Sequence, residues 1–359
     1  MSKLLEPITI GDLKLPNRII MSPLTRSRAN NEGRVPNDLM VKYYEQRASA
    51  GLIITEATIV TKMGAGYANT PGIWSDEQVE GWKKVTQAVH NKGGRIFLQL
   101  WHVGRISHPM FLDGETPVAP SAIQPKGHVS LVRPMVDYVT PRALSLDEIT
   151  EIIAAFKKGA ENAKKAGFDG VEIHGANGYL LDQFLQDSAN KRDDKYGGSI
   201  ENRARFMLEV TDAVLQVWDK NRVGMHLAPR MDSHDIGDSQ RLETFSYVAE
   251  QLGKRGIAFI CTREHVAEDS ISPILKEKFG GTLIANEGFT KDSAEALLNK
   301  GDADAIAFGK LYIANPDLVE RFAQDAPLNE PDTSSFYQGG KEGYIDYPFL
   351  DTEKTKQSA

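Results

Sequence analysis

The sequence holds one cysteine, Cys261, in 359 residues. A single thiol cannot close an intramolecular disulfide or build a thiolate metal cluster. Positive charge is also scarce. The 42 Lys and Arg face 49 Asp and Glu, for a net charge of -7. That balance argues against a nucleic-acid footprint, while leaving room for a local basic pocket. No apolar run is long enough to span a bilayer, and the opening MSKLLEPITIGDLKLPNR lacks an apolar signal core. A cytoplasmic protein is expected. No GxGxxG follows a strand, and no P-loop, GxSxG or HExxH occurs. What remains is ordinary globular composition, 41% hydrophobic and 25% charged, with apolar residues enough for a large core.

Short apolar runs recur along the chain, at 17–24, 51–58, 94–101, 169–175, 222–229, 256–262, 281–288 and 303–310. They are nearly continuous rather than alternating, the pattern of parallel strands covered on both faces. Amphipathic helical segments lie between them, at 75–93, 145–167, 199–218, 241–254 and 290–300. Ser75, Ser145 and Ser199 stand where N-caps belong, and Gly93 and Gly167 where helices stop. Eight strand–helix units predict an α/β fold, a single (β/α)8 TIM barrel domain over 1–359. A doubly wound open sheet shares the same periodicity. The Pro- and Gly-rich segment 102–144 follows the third strand. It reads as an insertion over the barrel mouth, a hairpin or lid. A tail after Asn315 carries one more helix.

In such a barrel the chemistry sits at the C-terminal strand ends. Those ends carry Ser22, Pro23, Leu24 and Thr25, then Glu56 and Ala57, then Gln99, Trp101 and His102. Later strands supply His174, His226 with Arg230 beyond it, Asn286, Glu287 and Gly288, and finally Gly309 and Lys310. The last two units suit an anion, because phosphates often lie on the loops after strands seven and eight. Gly288 and Gly309 would admit backbone N–H groups, and Lys310 offers a point charge. Taken alone, Gly309 is equally a strand-end turn and Lys310 a solvated lysine. The Glu287 carboxylate would repel a phosphate unless it turns away.

The stretch VEIHGANGYLLDQFL, 171–185, is the most pointed. His174 and Asn177 are three apart, so a helical turn aims both at one point. Two donors on a carbonyl oxygen stabilise charge that grows there. Tyr179, a weak acid, stands one step further and can supply a proton to a developing carbanion. Donor, donor and acid suit the addition of hydride and proton across an activated C=C. A buried His, a turn Asn and a core Tyr would read the same in isolation.

The stretch HGANGYLLDQFL with NKRDDKYGGSIENRARF (190–206) resembles the signature of the old yellow enzyme family, FMN-dependent ene-reductases on a TIM barrel. The resemblance extends over nearly the whole chain, through NRIIMSPLTR (17–26), TEAT (55–58), QLWHVGRISHP (99–109), FGKLYIANPDL (308–318) and FYQGGKEGYIDYP (336–348). It implies FMN as cofactor and NADPH or NADH as reductant. It further implies α,β-unsaturated carbonyls, nitroalkenes or nitrate esters as small-molecule acceptors. Thr25 would bond the flavin O4, with Pro23 and Leu24 on the same edge, Ala57 near the ring and Gln99 on the pyrimidine side. His174 and Asn177 would hold the acceptor oxygen, and Tyr179 would be the proton donor. Trp101, Phe336 and Tyr337 would wall the pocket. The FMN phosphate would take Gly288, Gly309 and Lys310, with Glu287 using only its N–H.

Two positions depart from the commoner family pattern, where arginines stand. Here they are His226 and Lys310. Lysine lacks the bidentate fork for phosphate. Histidine titrates near neutral pH, so His226, helped by Arg230, is expected to stabilise the reduced flavin with a pH-dependent potential. His102 and His108 have no partner at metal-ligand spacing. Two other readings stay open: a non-flavin lyase or isomerase of a phosphorylated substrate on the same barrel, and a non-catalytic flavin carrier.

Overall fold

The computed structural model describes residues 2–30, 32–230 and 233–350. Eight parallel strands form its centre: β1 Ile19–Met21, β2 Leu52–Ile54, β3 Ile96–Trp101, β4 Gly170–Gly175, β5 Val223–Leu227, β6 Phe259–Arg263, β7 Thr282–Asn286 and β8 Ala305–Phe308. Each pairs with the next, and β8 pairs with β1, so the sheet closes. The predicted barrel is observed, and the open sheet is ruled out by that closure. All eight apolar runs are its strands.

The runs are apolar on both faces because each face meets its own core. Inside the barrel, Ile20, Ile54, Phe97, Phe259, Ile284 and Ala305 pack together. An antiparallel hairpin, Ile8–Ile10 with Leu13–Leu15, adds Ile10, Leu13 and Leu15 to that cluster and closes the barrel floor. Outside, Ile19, Ile53, Leu98, Val171, Met225 and Leu283 pack on the helices. Each such side chain contributes about 1.5–3 kcal/mol on burial.

The helices are α1 Asp38–Gln46, α2 Asp76–Asn91, α3 Leu146–Lys165, α4 Ile200–Leu215, α5 Arg241–Arg255, α6 Ser272–Phe279 and α7 Lys291–Lys300. A short helix, Leu180–Leu185, follows β4, and two more, Lys310–Ala314 and Leu318–Ala323, follow β8. The caps act as the sequence indicates. Ser75, Ser145 and Ser199 each accept a backbone N–H three residues on, and the first two complete capping boxes. Gly93 and Gly167 leave their helices at φ +80° and +81°, where a side chain would be strained. Among the described residues no helix is long and apolar enough to cross a membrane.

The segment 102–144 is mostly irregular. It holds a parallel two-residue pair, Val118–Ala119 with Arg142–Ala143, and an antiparallel bridge from His128 to Asp137. Val129 and Tyr138 anchor it on a satellite cluster with Tyr67, Trp101 and Ile106. The bridge makes a local hairpin at 128–137, and Ser130 and Leu131 within it line a cavity at the strand ends. His102 and His108 serve this segment by accepting backbone N–H groups from Gly104 and Met110.

Candidate active site

A cavity of about 480 Å3 opens at the C-terminal ends of the strands, within the usual range for small-molecule sites. His174 and Asn177 meet there with strand ends one, three and eight. Tyr179, Pro23, Leu24, Thr25, Ala57, Gln99, Trp101, His226, Glu287, Gly288, Gly309, Lys310 and Tyr337 line it as well. Phe336 does not. Its ring lies against Arg26 and its carbonyl accepts from Arg26 and Arg28, so it anchors the tail. Tyr337 alone of that pair reaches the cavity.

Strand pairing explains how distant residues converge. The register sets His174 beside His226, His226 beside Cys261, and Cys261 beside Ile284. Side chains two residues apart on a strand share a face. His174 and His226 therefore both point inward, their rings 5.4 Å apart and nearly parallel. Arg263 lies one pleat above Cys261, paired with Asn286.

Hydrogen bonds fix both imidazoles in one tautomer. The Ala176 N–H donates to His174 Nδ1 at 3.3 Å, and Gln99 Nε2 donates to His226 Nδ1 at 3.2 Å. Each ring is left with an Nε2–H donor. Burial holds both neutral. The His174 value falls well below the ordinary one, lowered further by His226 and Arg263, and His226 is pushed down to about 3. This corrects the expectation that His226 titrates near neutral pH. Arg230 does not assist it either, since its guanidinium pairs with Asp269 at 2.6 Å on the outer loop. The permanent positive charge near the two rings is Arg263.

Beneath them, Gln99 Nε2 also donates to Glu172 Oε2 at 2.7 Å. With both amide hydrogens used, Gln99 offers its oxygen to the cavity. Burial raises the Glu172 carboxyl to about 8, so it is protonated at neutral pH.

The turn after β4 is held tightly. Asn177 and Gly178 both take positive φ, +60° and +70°. A Cβ on Gly178 would stand 2.9 Å from His234 Cβ, so glycine is required there. The Gly178 N–H donates to Asp182 at 2.8 Å, and Gln183 donates to the Gly178 carbonyl at 2.7 Å. His234 Nδ1 donates to the Asn177 carbonyl at 2.6 Å. Arg263 Nη1 donates to Asn177 Oδ1 at 3.1 Å.

Tyr179 stands edge-on to His174 and Trp101, with ring centroids 5.1 and 5.0 Å away. Its hydroxyl meets that of Tyr67 at 2.8 Å. Burial raises the Tyr179 pKa, so the phenol keeps its proton. At the far end of the cavity, Gly288 takes φ +73°. A Cβ on Gly309 would stand 3.3 Å from Leu24. Glu287 turns its carboxylate to the Arg263 Nε, which removes the electrostatic objection raised by its position.

Tyr67, His234 and Arg263 are among the lining residues that lie outside the sequence-derived set. Arg263 was legible in principle. Once Cys261 faces inward, a strand extended by one residue beyond Thr262 places Arg263 inward too. Tyr67 and His234 sit on loops, where no periodicity marks them.

These features fit FMN. A buried His226 Nε2 without a hydrogen-bond partner among the described residues points to a ring acceptor. Close backbone approach at Gly288 and Gly309, beside Lys310, suits a phosphate.

Comparison with known proteins agrees. Residues 3–329 match the family described as NADH:flavin oxidoreductase / NADH oxidase. A probable flavin mononucleotide-dependent alkene reductase of Leishmania infantum is 44% identical, covering 97% of each chain. The 12-oxophytodienoate reductase 1 of Oryza sativa subsp. japonica is also 44% identical, over 97% of this chain and 93% of its own. Among solved structures, the old yellow enzyme homologue from Zymomonas mobilis superposes with a TM-score of 0.94 at 44% identity, covering 97% of this chain and 100% of its own. Morphinone reductase in complex with tetrahydroNAD gives 0.94 at 48% identity, covering 98% and 99%. Neither a non-flavin lyase nor a passive carrier agrees with these matches; the chain belongs to the NADH:flavin oxidoreductase / NADH oxidase family, whose old yellow enzyme members it resembles along nearly its full length.

Proposed function

We propose that this FMN-dependent oxidoreductase reduces the activated C=C bond of small α,β-unsaturated carbonyl and nitro compounds, at the expense of NADPH or NADH. Bound FMN supplies the hydride relay between nicotinamide and alkene. The protein's own groups do the rest. His174 Nε2–H and the Asn177 amide hold the acceptor's oxygen, and both are fixed before substrate arrives. Charge that moves onto that oxygen as the β-carbon gains hydride meets two oriented donors in a buried site. Tyr179 then gives its phenolic proton to the α-carbon, with Tyr67 bonded to the same hydroxyl.

Trp101 and Tyr337 wall the acceptor. For the cofactor, Thr25, Pro23, Leu24, Ala57, Gln99 and His226 would border the ring. The Glu287 and Gly288 backbone, Gly309 and Lys310 would take the phosphate. Neutral His226 would act as an N–H donor to the ring rather than as a titrating cation. A cytoplasmic location suits a nicotinamide-dependent enzyme of this composition.

The observation that carries this reading is the convergence of His174, Asn177 and Tyr179 on one cavity with both imidazole tautomers fixed. The test is Tyr179→Phe. Anaerobic flavin reduction by NADPH should survive, while reduction of 2-cyclohexenone should fall by about 100-fold, the usual scale of a lost general acid. Full alkene reduction in that variant would remove Tyr179 from the mechanism.

A further inference from the structure

Arg263 ends β6 with its side chain in the cavity. Its Nη1 donates to Asn177 Oδ1 at 3.1 Å, and its Nε donates to the Glu287 carboxylate. The first contact bears on chemistry. An asparagine amide has two nearly isosteric ends, one donor and one acceptor. Flipped, Asn177 would present its oxygen to the acceptor's oxygen, and the two would repel. A guanidinium has donors and no acceptor. Opposite Arg263, only Oδ1 is tolerated, so Nδ2–H is left for the substrate. A hydrogen bond from a cation also polarises the amide and strengthens that donor.

Glu287 secures the arrangement from β7. Its backbone sits at φ +110°, which is unfavourable for a residue with a side chain. In that conformation its carboxylate reaches Arg263. The main chain of Asn177 is held independently by His234. Both ends of Asn177 are therefore fixed by residues with no role in contacting the acceptor oxygen.

We infer that Arg263 is a positioning residue, anchored by Glu287, that locks the Asn177 amide with its nitrogen toward the substrate. The inference rests on the reading that Asn177 holds the acceptor oxygen. Cyclohexanone carries that oxygen but no alkene, so it reports binding without turnover. Its affinity for the oxidised, FMN-loaded protein can be measured by calorimetry in wild type, Arg263→Met, Asn177→Ala and the double variant. Arg263→Met should weaken binding about fivefold or more in the wild-type background, the size of one hydrogen bond, and less than about twofold beside Asn177→Ala. Arg263→Lys keeps the charge beside Glu287 and is measured in parallel. It carries the test, with an expected loss of about threefold, should Arg263→Met fail to retain FMN.

Equal losses in both backgrounds would overturn the positioning role while leaving the Asn177 reading intact. So would no loss in the wild-type background. Unchanged affinity in Asn177→Ala alone would remove the acceptor reading itself, and this inference with it.

Discussion

Glu172 illustrates what a single buried side chain does to this protein. It is fully buried inside the barrel and carries one accepted hydrogen bond, from Gln99. Its pKa is raised by burial to about 8, against about 4.3 for an unfolded glutamate. The folded chain therefore holds this proton more tightly than the unfolded one. Its contribution to stability is fully present below about pH 4 and is lost as the pH rises through about 8. Glu56 and Asp182, both buried and raised to about 7, act in the same direction. Glu172→Gln should flatten the alkaline decline, raising Tm by roughly 2 °C or more at pH 8 and by less at pH 5. An equal effect at both pH values would contradict the protonated assignment. Nothing in the sequence revealed this burial. The run DGVEIHG marks Glu172 as a strand residue, but only the strand register shows that it faces into the barrel below His174. His226 failed for the same reason. Its residue type suggests a neutral-pH titration, and its desolvation abolishes it.

At the scale of elements, the strands and capped helices were legible because their signals are local: apolar runs of strand length, serines at N-caps, glycines at C-termini. The helices α1 and α6 carried weaker marks, being only 9 and 8 residues long. The loops were not legible, because their placement is decided by contacts distant in sequence. The loop after β5 is the clearest case. The Arg105 guanidinium, 1% exposed, donates to the Ile123, His234 and Asp235 carbonyls. It thereby fastens the segment that brings His234 to the Asn177 backbone. Arg105→Met removes those donors and leaves three part-buried carbonyls without them. A loss of about 2–4 kcal/mol is expected by denaturant unfolding, with new proteolytic cleavage between 233 and 240. Wild-type stability with the loop still protected would show that other contacts hold it.

For the molecule as a whole, barrel closure turns eight separate strand ends into one site. His174, His226 and Arg263 lie on three successive strands, and the parallel register alone brings them together. The barrel was legible, and residues named at its strand ends line one cavity, because strand ends are predictable positions. Phe336 does not reach it, because its neighbours come from a tail folding back on Arg26 and Arg28. The central claim is that His174 and Asn177 hold an activated alkene's oxygen above FMN while hydride arrives. Chemically reduced, FMN-loaded protein mixed anaerobically with 2-cyclohexenone tests it most directly, since it bypasses the nicotinamide step. The return of flavin colour should be at least about 100-fold slower in His174→Ala than in wild type. Reoxidation at the wild-type rate in that variant would contradict the account, and so would a purified wild-type protein that takes up no FMN.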